Sequence, residues 1–195
     1  MTVGTIFSFL VIIIGNQNNA EESKTQQEKY SKYLAASNDY QSKVTAQTTE
    51  LSDKYYEKMK VYSTYPAAFD KASVSSLSTK DLVVGTGDEI NSSSSYSSFY
   101  IGWNPDGKIF DQSIDTATNT LKAPIASGNL IIGWNEGVIG MKIGGVREVT
   151  IPSDKAYGQT GQGDLIPANT PLKFIIMIIP TPEKLTAPNY ADYIK

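Results

Sequence analysis

The run LKFIIMII, residues 172–179, constrains the fold of this chain more than any other stretch. It is apolar almost without interruption for the length of one strand, which predicts a central strand buried on both faces. The residues around it agree. VREVTIP (146–152) alternates strictly and SSSSYSSFYIGW (92–103) alternates loosely. DLVVGTGDEI (81–90) reads as a strand, a glycine turn and more strand. NPDGKIF (104–110) is a turn, with Pro105, Asp106 and Gly107 as breakers. NSSSSYSS (91–98) is of low complexity and reads as a solvent-facing loop and strand edge. Helical periodicity is nearly missing from residues 81–180, so this part of the chain is expected to be mostly sheet.

The residues before it have the opposite character. From about Ala20 to Tyr62 there is no proline or glycine, and Tyr30, Tyr33, Leu34, Tyr40, Val44, Leu51, Tyr55 and Met59 recur mostly at three- or four-residue steps. That pattern predicts a long helix. Its stripe is thin and broken at Ser37 and Thr48, which argues against a strong coiled coil. The helix reads as a solvated stalk or as a helix lying on its own domain, and an oligomerisation or client-contacting arm is the alternative. Pro66 closes it. The expected organisation is an apolar segment at 1–15, a helical arm at 16–65, a linker at 66–80, a β-rich domain at 81–180 and a flexible, proline-punctuated tail at 181–195. The apolar stretch from Val3 to Ile14 is shorter than the ~20 residues that span a bilayer. It lacks the basic start of a secretory signal. It reads as the outer part of a membrane anchor, a short signal core or a buried segment. A tether outside the cytoplasmic membrane is the expectation, with a cytoplasmic protein as the alternative.

Two missing residue types narrow the chemistry. The chain has no histidine and no cysteine. A Ser-His-Asp triad, an imidazole base, a cysteine nucleophile, a disulfide and a zinc-thiolate site are all excluded. Net charge is -3, so a basic nucleic-acid-binding face is not expected. The single arginine, Arg147, reads as a solvent-facing strand charge and cannot build phosphate clamps alone. Any reaction here must use carboxylates, hydroxyls, backbone groups or an apolar environment, and no metal or cofactor is expected.

The segment IIGWNEGVIGMKIGG (131–145) sets Trp134 between Gly133 and Gly137, a poor local choice for a helix. It is one of seven ordered signatures, with GTG (85–87), YIG (100–102), DGKIFDQS (106–113), REVTIP (147–152), KAYG (155–158) and LIPANTPLKF (165–174). Together these resemble an FKBP-type peptidyl-prolyl cis-trans isomerase domain over residues 81–180. The resemblance implies an α+β fold, a twisted antiparallel sheet wrapped around one short helix, here preceded by the long N-terminal helix. GWNEGVIGM would supply the short helix, its glycines allowing close approach to the sheet.

The resemblance also implies residue roles. Trp134 would floor a proline pocket, Tyr100, Phe110 and Phe174 would wall it, and Leu130 and Ile131 would form its rim. Tyr157 and the Ile131 backbone N–H would hold a substrate carbonyl. Asp111 would either bias that carbonyl electrostatically or brace the pocket wall through Tyr100 or backbone N–H groups. Leu165 and Ile166 would cover the ligand. Leu121 stands where many members carry a lip phenylalanine, and Gln162 stands where they often have histidine. The implied partners are proline-containing unfolded or nascent polypeptides, with macrolide inhibitors as further ligands. The implied activity is isomerisation of X–Pro bonds; the alternative is a catalytically weak peptide-binding or chaperone module using the same pocket and the N-terminal helix.

Overall fold

The computed structural model describes residues 20–194, so the apolar segment at 3–14 lies outside the described residues. The described residues divide into two compact units, residues 20–43 with 185–194, and Val44–Lys184. One continuous helix, α1 (Ala20–Lys60), contributes to both. Its uninterrupted run of helix-tolerant residues, with Lys58 and Lys60 in the last turn near the negative end of the helix dipole, accounts for its length. No helix among the described residues is long and apolar enough to cross a membrane.

In the first unit, α1 is largely solvated, with Tyr30 and Leu34 exposed. The tail, expected to be flexible, instead packs on it. Tyr33 meets Tyr190 and Tyr193 edge-on, with ring centroids 5.2 and 5.8 Å apart. A single 3-10 turn at Tyr190–Asp192, capped by the Asn189 side chain, presents those rings.

The second unit is built on an antiparallel sheet of β1 (Ser78–Val83), β2 (Ser97–Trp103), β3 (Ile109–Gln112), β6 (Ile125–Ala126), β7 (Val146–Ile151) and β8 (Leu172–Ile179). The strand order is β1-β7-β8-β2-β3, with β6 also paired to β2. A small hairpin of β4 (Ile114–Asp115) and β5 (Thr120–Leu121) lies outside that sheet. The apolar run 172–179 is the central strand β8, hydrogen-bonded to β7 on one side and β2 on the other. Its alternate residues enter two different cores, because successive side chains of a strand point to opposite faces. Leu172, Phe174, Ile176 and Ile178 join the core that contains Trp134. Ile175, Met177 and Ile179 join the other, with Phe99, Ile101 and Trp103 of β2.

Each face has its own helix. On the first face, the short helix α2 (Ile132–Gly137) lies on β7. A Cβ on Gly137 would come within 2.5 Å of Val149 Cγ1, and one on Gly133 would collide with Ile151. The glycines therefore permit a contact that any side chain would block. On the second face, the C-terminal part of α1 buries Tyr55 and Met59 against the sheet. The segment after it continues the cover: Trp103 Nε1 donates to the Ala67 carbonyl at 3.1 Å, and the Tyr65 hydroxyl donates to Glu148 at 2.7 Å. The architecture is α+β, with a short helix on one face and a long N-terminal helix supplying the other.

Burying the second face of β8 takes the end of the helical arm, so the compact unit Val44–Lys184 extends before the β-rich stretch at 81–180. Two sequence expectations are corrected here. Ser97 and Ser98 are buried, since they pair with both β8 and β6 instead of facing solvent. Arg147 is also buried. Its guanidinium forks onto Asp81 at 2.6 and 3.1 Å, and Nη1 donates to the Gly137 and Ile139 carbonyls, both at 2.9 Å. It closes the C-terminal end of α2, whose carbonyls have no helical partner.

Candidate functional site

At the start of α2 a cavity of about 380 Å³ opens, lined by Tyr100, Phe110, Asp111, Ile125, Asn129, Leu130, Ile131, Trp134, Tyr157 and Phe174. Seven elements or loops meet there. Tyr100 comes from β2, Phe110 and Asp111 from β3, Ile125 from β6 and Phe174 from β8. The loop into α2 brings Asn129 to Ile131, α2 itself brings Trp134, and Tyr157 follows a 3-10 turn at Ser153–Lys155.

The aromatic rings interlock edge to face, the arrangement their quadrupoles favour. Trp134 lies 5.4 Å from Tyr100 and 5.2 Å from Phe174, and Phe110 lies 5.5 Å from Phe174. Gly102 makes that arrangement possible. A Cβ there would sit 2.7 Å from both Phe110 Cζ and Phe174 Cε1. The Trp134 indole N–H is buried and makes no hydrogen bond of good geometry among the described residues, with the Tyr96 hydroxyl as its nearby polar neighbour. Burial raises the pKa of the neighbouring Tyr96 hydroxyl, and the nearby indole N–H offsets part of that rise.

The polar groups are few and specific. The Tyr100 hydroxyl donates to Asp111 Oδ2, and the Gln112 N–H donates to Asp111 Oδ1 at 2.8 Å. The bond that a bracing role for Asp111 requires is therefore present. Burial, and then the hydrogen bond to Asp111 and its charge, push the Tyr100 pKa far above the usual phenol value. Burial and the Asp111 charge also raise Tyr157. Both phenols are neutral donors at pH 7. Tyr100 uses its proton on Asp111, whereas the Tyr157 hydroxyl has no partner among the described residues. Nor does the Ile131 N–H, at the N-cap of α2, donate to any acceptor among them. The cavity thus combines an apolar aromatic wall with two uncommitted donors.

Eight of the eleven candidate residues line this cavity: Tyr100, Phe110, Asp111, Leu130, Ile131, Trp134, Tyr157 and Phe174. Three do not. Leu121 is a correction: it is 2% exposed in the core on the opposite face of the sheet, because the β4–β5 hairpin turns that way. Ile166 is buried in the Trp134 core behind the cavity wall, and its carbonyl accepts from the Gln162 N–H at 2.7 Å. Leu165 is exposed and its carbonyl accepts from Asn104 Nδ2 at 2.9 Å. Ile125 and Asn129 line the cavity but belong to a stretch with no distinctive sequence pattern. Gly102 stands inside a quoted signature, yet its purpose is visible only once Phe110 and Phe174 cross it. No group of acidic, histidine or cysteine residues able to hold a metal occurs among the described residues.

A β-rich unit with a short helix pressed on its sheet, and an aromatic pocket at that helix's start, defines an FKBP-like domain. Comparison with known proteins agrees. The sequence model of the FKBP-type peptidyl-prolyl cis-trans isomerase family matches residues 87–179. An FK506-binding protein of Neisseria meningitidis serogroup A is 38% identical over 104 residues, covering 53% of this chain and 94% of that protein. A probable FK506-binding protein of Corynebacterium glutamicum is 40% identical over 100 residues, covering 51% of this chain and 81% of that one. The crystal structure of a peptidyl-prolyl cis-trans isomerase from Pseudomonas syringae aligns with a TM-score of 0.46 and 34% identity, covering 67% of this chain and 93% of that one. The chain belongs to the FKBP-type peptidyl-prolyl cis-trans isomerase family, and its enzyme class is that of a peptidyl-prolyl isomerase.

Proposed function

We propose that this protein accelerates X–Pro rotation in unfolded or newly exported chains by desolvating the bond in the aromatic pocket and fixing one carbonyl. Peptide-bond rotation faces a barrier of roughly 18–20 kcal/mol because it breaks amide resonance. No covalent bond is made or broken, so no nucleophile is needed. At the transition state the amide is twisted and less polar, and a dry apolar site favours that form over the planar, hydrated one. The observation that carries this reading is the pair of uncommitted donors, the Tyr157 hydroxyl and the Ile131 N–H, on a wall otherwise made of Tyr100, Phe110, Trp134 and Phe174. A proline ring seated on Trp134 would leave its preceding carbonyl to those donors. Asp111, already engaged by Tyr100, would brace the wall and bias the carbonyl dipole.

A protease-coupled assay on peptides of the form X-Pro-Phe tests the reading. Acceleration that FK506 suppresses is expected. No acceleration at micromolar protein would sink it, and binding without acceleration would leave a peptide-holding module. The apolar stretch at 3–14, followed at once by polar GNQNNAEESK, supports a tether outside the cytoplasmic membrane in the same proposal. Cell fractionation tests this part: recovery with the membrane is expected, and recovery only in the cytoplasm would remove it.

A further inference from the structure

The β4–β5 hairpin is the join between two walls of the pocket. Phe110 and Asp111 stand directly before it, and Ile125 directly after it. Its base is tied to β2 at Ser113, which accepts the Tyr100 N–H on Oγ at 2.9 Å and donates its own N–H to the Tyr100 carbonyl at 2.8 Å. Lys122 closes the other end, its N–H donating to the Ser113 carbonyl at 2.8 Å and its Nζ to the Gln112 carbonyl at 2.9 Å. Any shift of the hairpin is therefore felt by the residues that flank Phe110, Asp111 and Tyr100.

What holds the hairpin is α1. The Leu121 N–H donates to Ser52 Oγ at 2.8 Å, and both residues are buried. The Tyr56 hydroxyl donates to Asn119 Oδ1 at 3.3 Å, at the turn of the hairpin, where Asn119 takes a positive φ of 55°. Ile114 and Leu121 complete the contact by packing in one core with Tyr55 and Met59. Ser52 is the only acceptor of the Leu121 N–H among the described residues. Without its hydroxyl, a buried backbone donor would be left unpaired, which a hairpin of two-residue strands relieves by moving.

We propose that Ser52 is a positioning residue for the pocket: through the Leu121 N–H it holds the 114–121 hairpin on α1, and so sets the wall formed by Phe110, Asp111 and Ile125. α1 is then part of the binding apparatus on the face opposite the ligand, and not only a stalk. The activity readout of this inference rests on the isomerase reading above; the structural readout does not.

The test compares Ser52→Ala, Ser52→Thr and a control, Val146→Ala, which thins the same core from β7, a strand that does not pair with the hairpin. In the full chain, well below the unfolding temperature, Ser52→Ala is expected to shift the amide resonances of Phe110, Asp111 and Ile125. It should also weaken FK506 binding about three- to tenfold, a loss of up to ~1.4 kcal/mol. Ser52→Thr should restore both. Val146→Ala should leave the pocket resonances and the affinity in place despite its stability loss. Shifts confined to Leu121 and its contacts, or an affinity in Ser52→Ala equal to the parent's, would overturn the proposal. If the parent neither isomerises nor binds FK506, the functional reading falls, and the resonance comparison still decides whether Ser52 sets the wall.

Discussion

Phe174 and Ile175 are neighbours in one strand, yet they belong to different halves of the protein's work. Phe174 points to the face that carries α2 and forms the pocket with Trp134 and Phe110. Ile175 points to the face covered by α1 and does not line the pocket. Arg147 and Glu148 on β7 repeat the division, the first holding the end of α2 and the second held by Lys173 and Tyr65. The contrast teaches that a small sheet can separate a ligand-facing layer from a stabilising one by strand alternation alone. The link through Ser52 and the hairpin is the place where the layers connect.

Truncating the neighbours on β8 would break the comparison most forcefully. Ile175→Ala should cost about 2–5 kcal/mol of unfolding free energy in a denaturant titration, with FK506 affinity of the folded protein unchanged. Phe174→Ala should cost about 3–5 kcal/mol and abolish most of the affinity as well. Equal losses of affinity in the two variants would show that the faces are not separable. Next comes Arg147→Met, which removes charge-assisted bonds worth about 1.5–3 kcal/mol each and frees the end of α2. Stability and affinity should fall together, with a change in Trp134 fluorescence.

A gentler change sharpens the ligand side. Tyr157→Phe deletes only the unpartnered hydroxyl, so kcat/KM should fall about tenfold, or ~1.4 kcal/mol, while the unfolding midpoint stays put. The smallest effect belongs to Glu148. Burial would raise its pKa, but hydrogen bonds from Lys173 and Tyr65 and the Lys173 and Lys80 charges outweigh that and hold it below the ordinary 4.5. A lowered folded pKa means the ionised form favours folding, so this contribution is present above 4.5 and is lost as pH falls through the lower folded value. Glu148→Gln should therefore cost about 1 kcal/mol at pH 7, with the gap from the parent closing in acid and activity untouched. The same pairing pushes the Tyr65 pKa up to about 12, chiefly through its hydrogen bond to Glu148, so its phenol remains a donor throughout that range.

Much of the pocket was legible before the structure because its residues sit in short, ordered signatures. Trp134, Tyr157 and Phe174 each stand in one of those signatures, and the family resemblance the signatures carry implied their places. Leu121 was misplaced because a two-residue strand has no periodicity of its own, and its direction depends on what the hairpin packs against. Arg147 was misread for a related reason. Strict alternation puts Arg147 on the same face as Val149 and Ile151, but only the end of a helix from another part of the chain shows why a charge belongs there.

The pocket residues were named through the resemblance of ordered signatures to a family; the sequence by itself determined the long helix, the central strand and the exclusion of imidazole and thiol chemistry. These depend on residue type and local spacing, which survive in one dimension. The tertiary structure alone decided that α1 closes the second face of the sheet, that Arg147 caps α2 and that Ser52 holds the hairpin behind the pocket. Ser52 and Leu121 are 69 residues apart in the chain, and a hydrogen bond across that distance leaves no local pattern for a reader of the sequence to find.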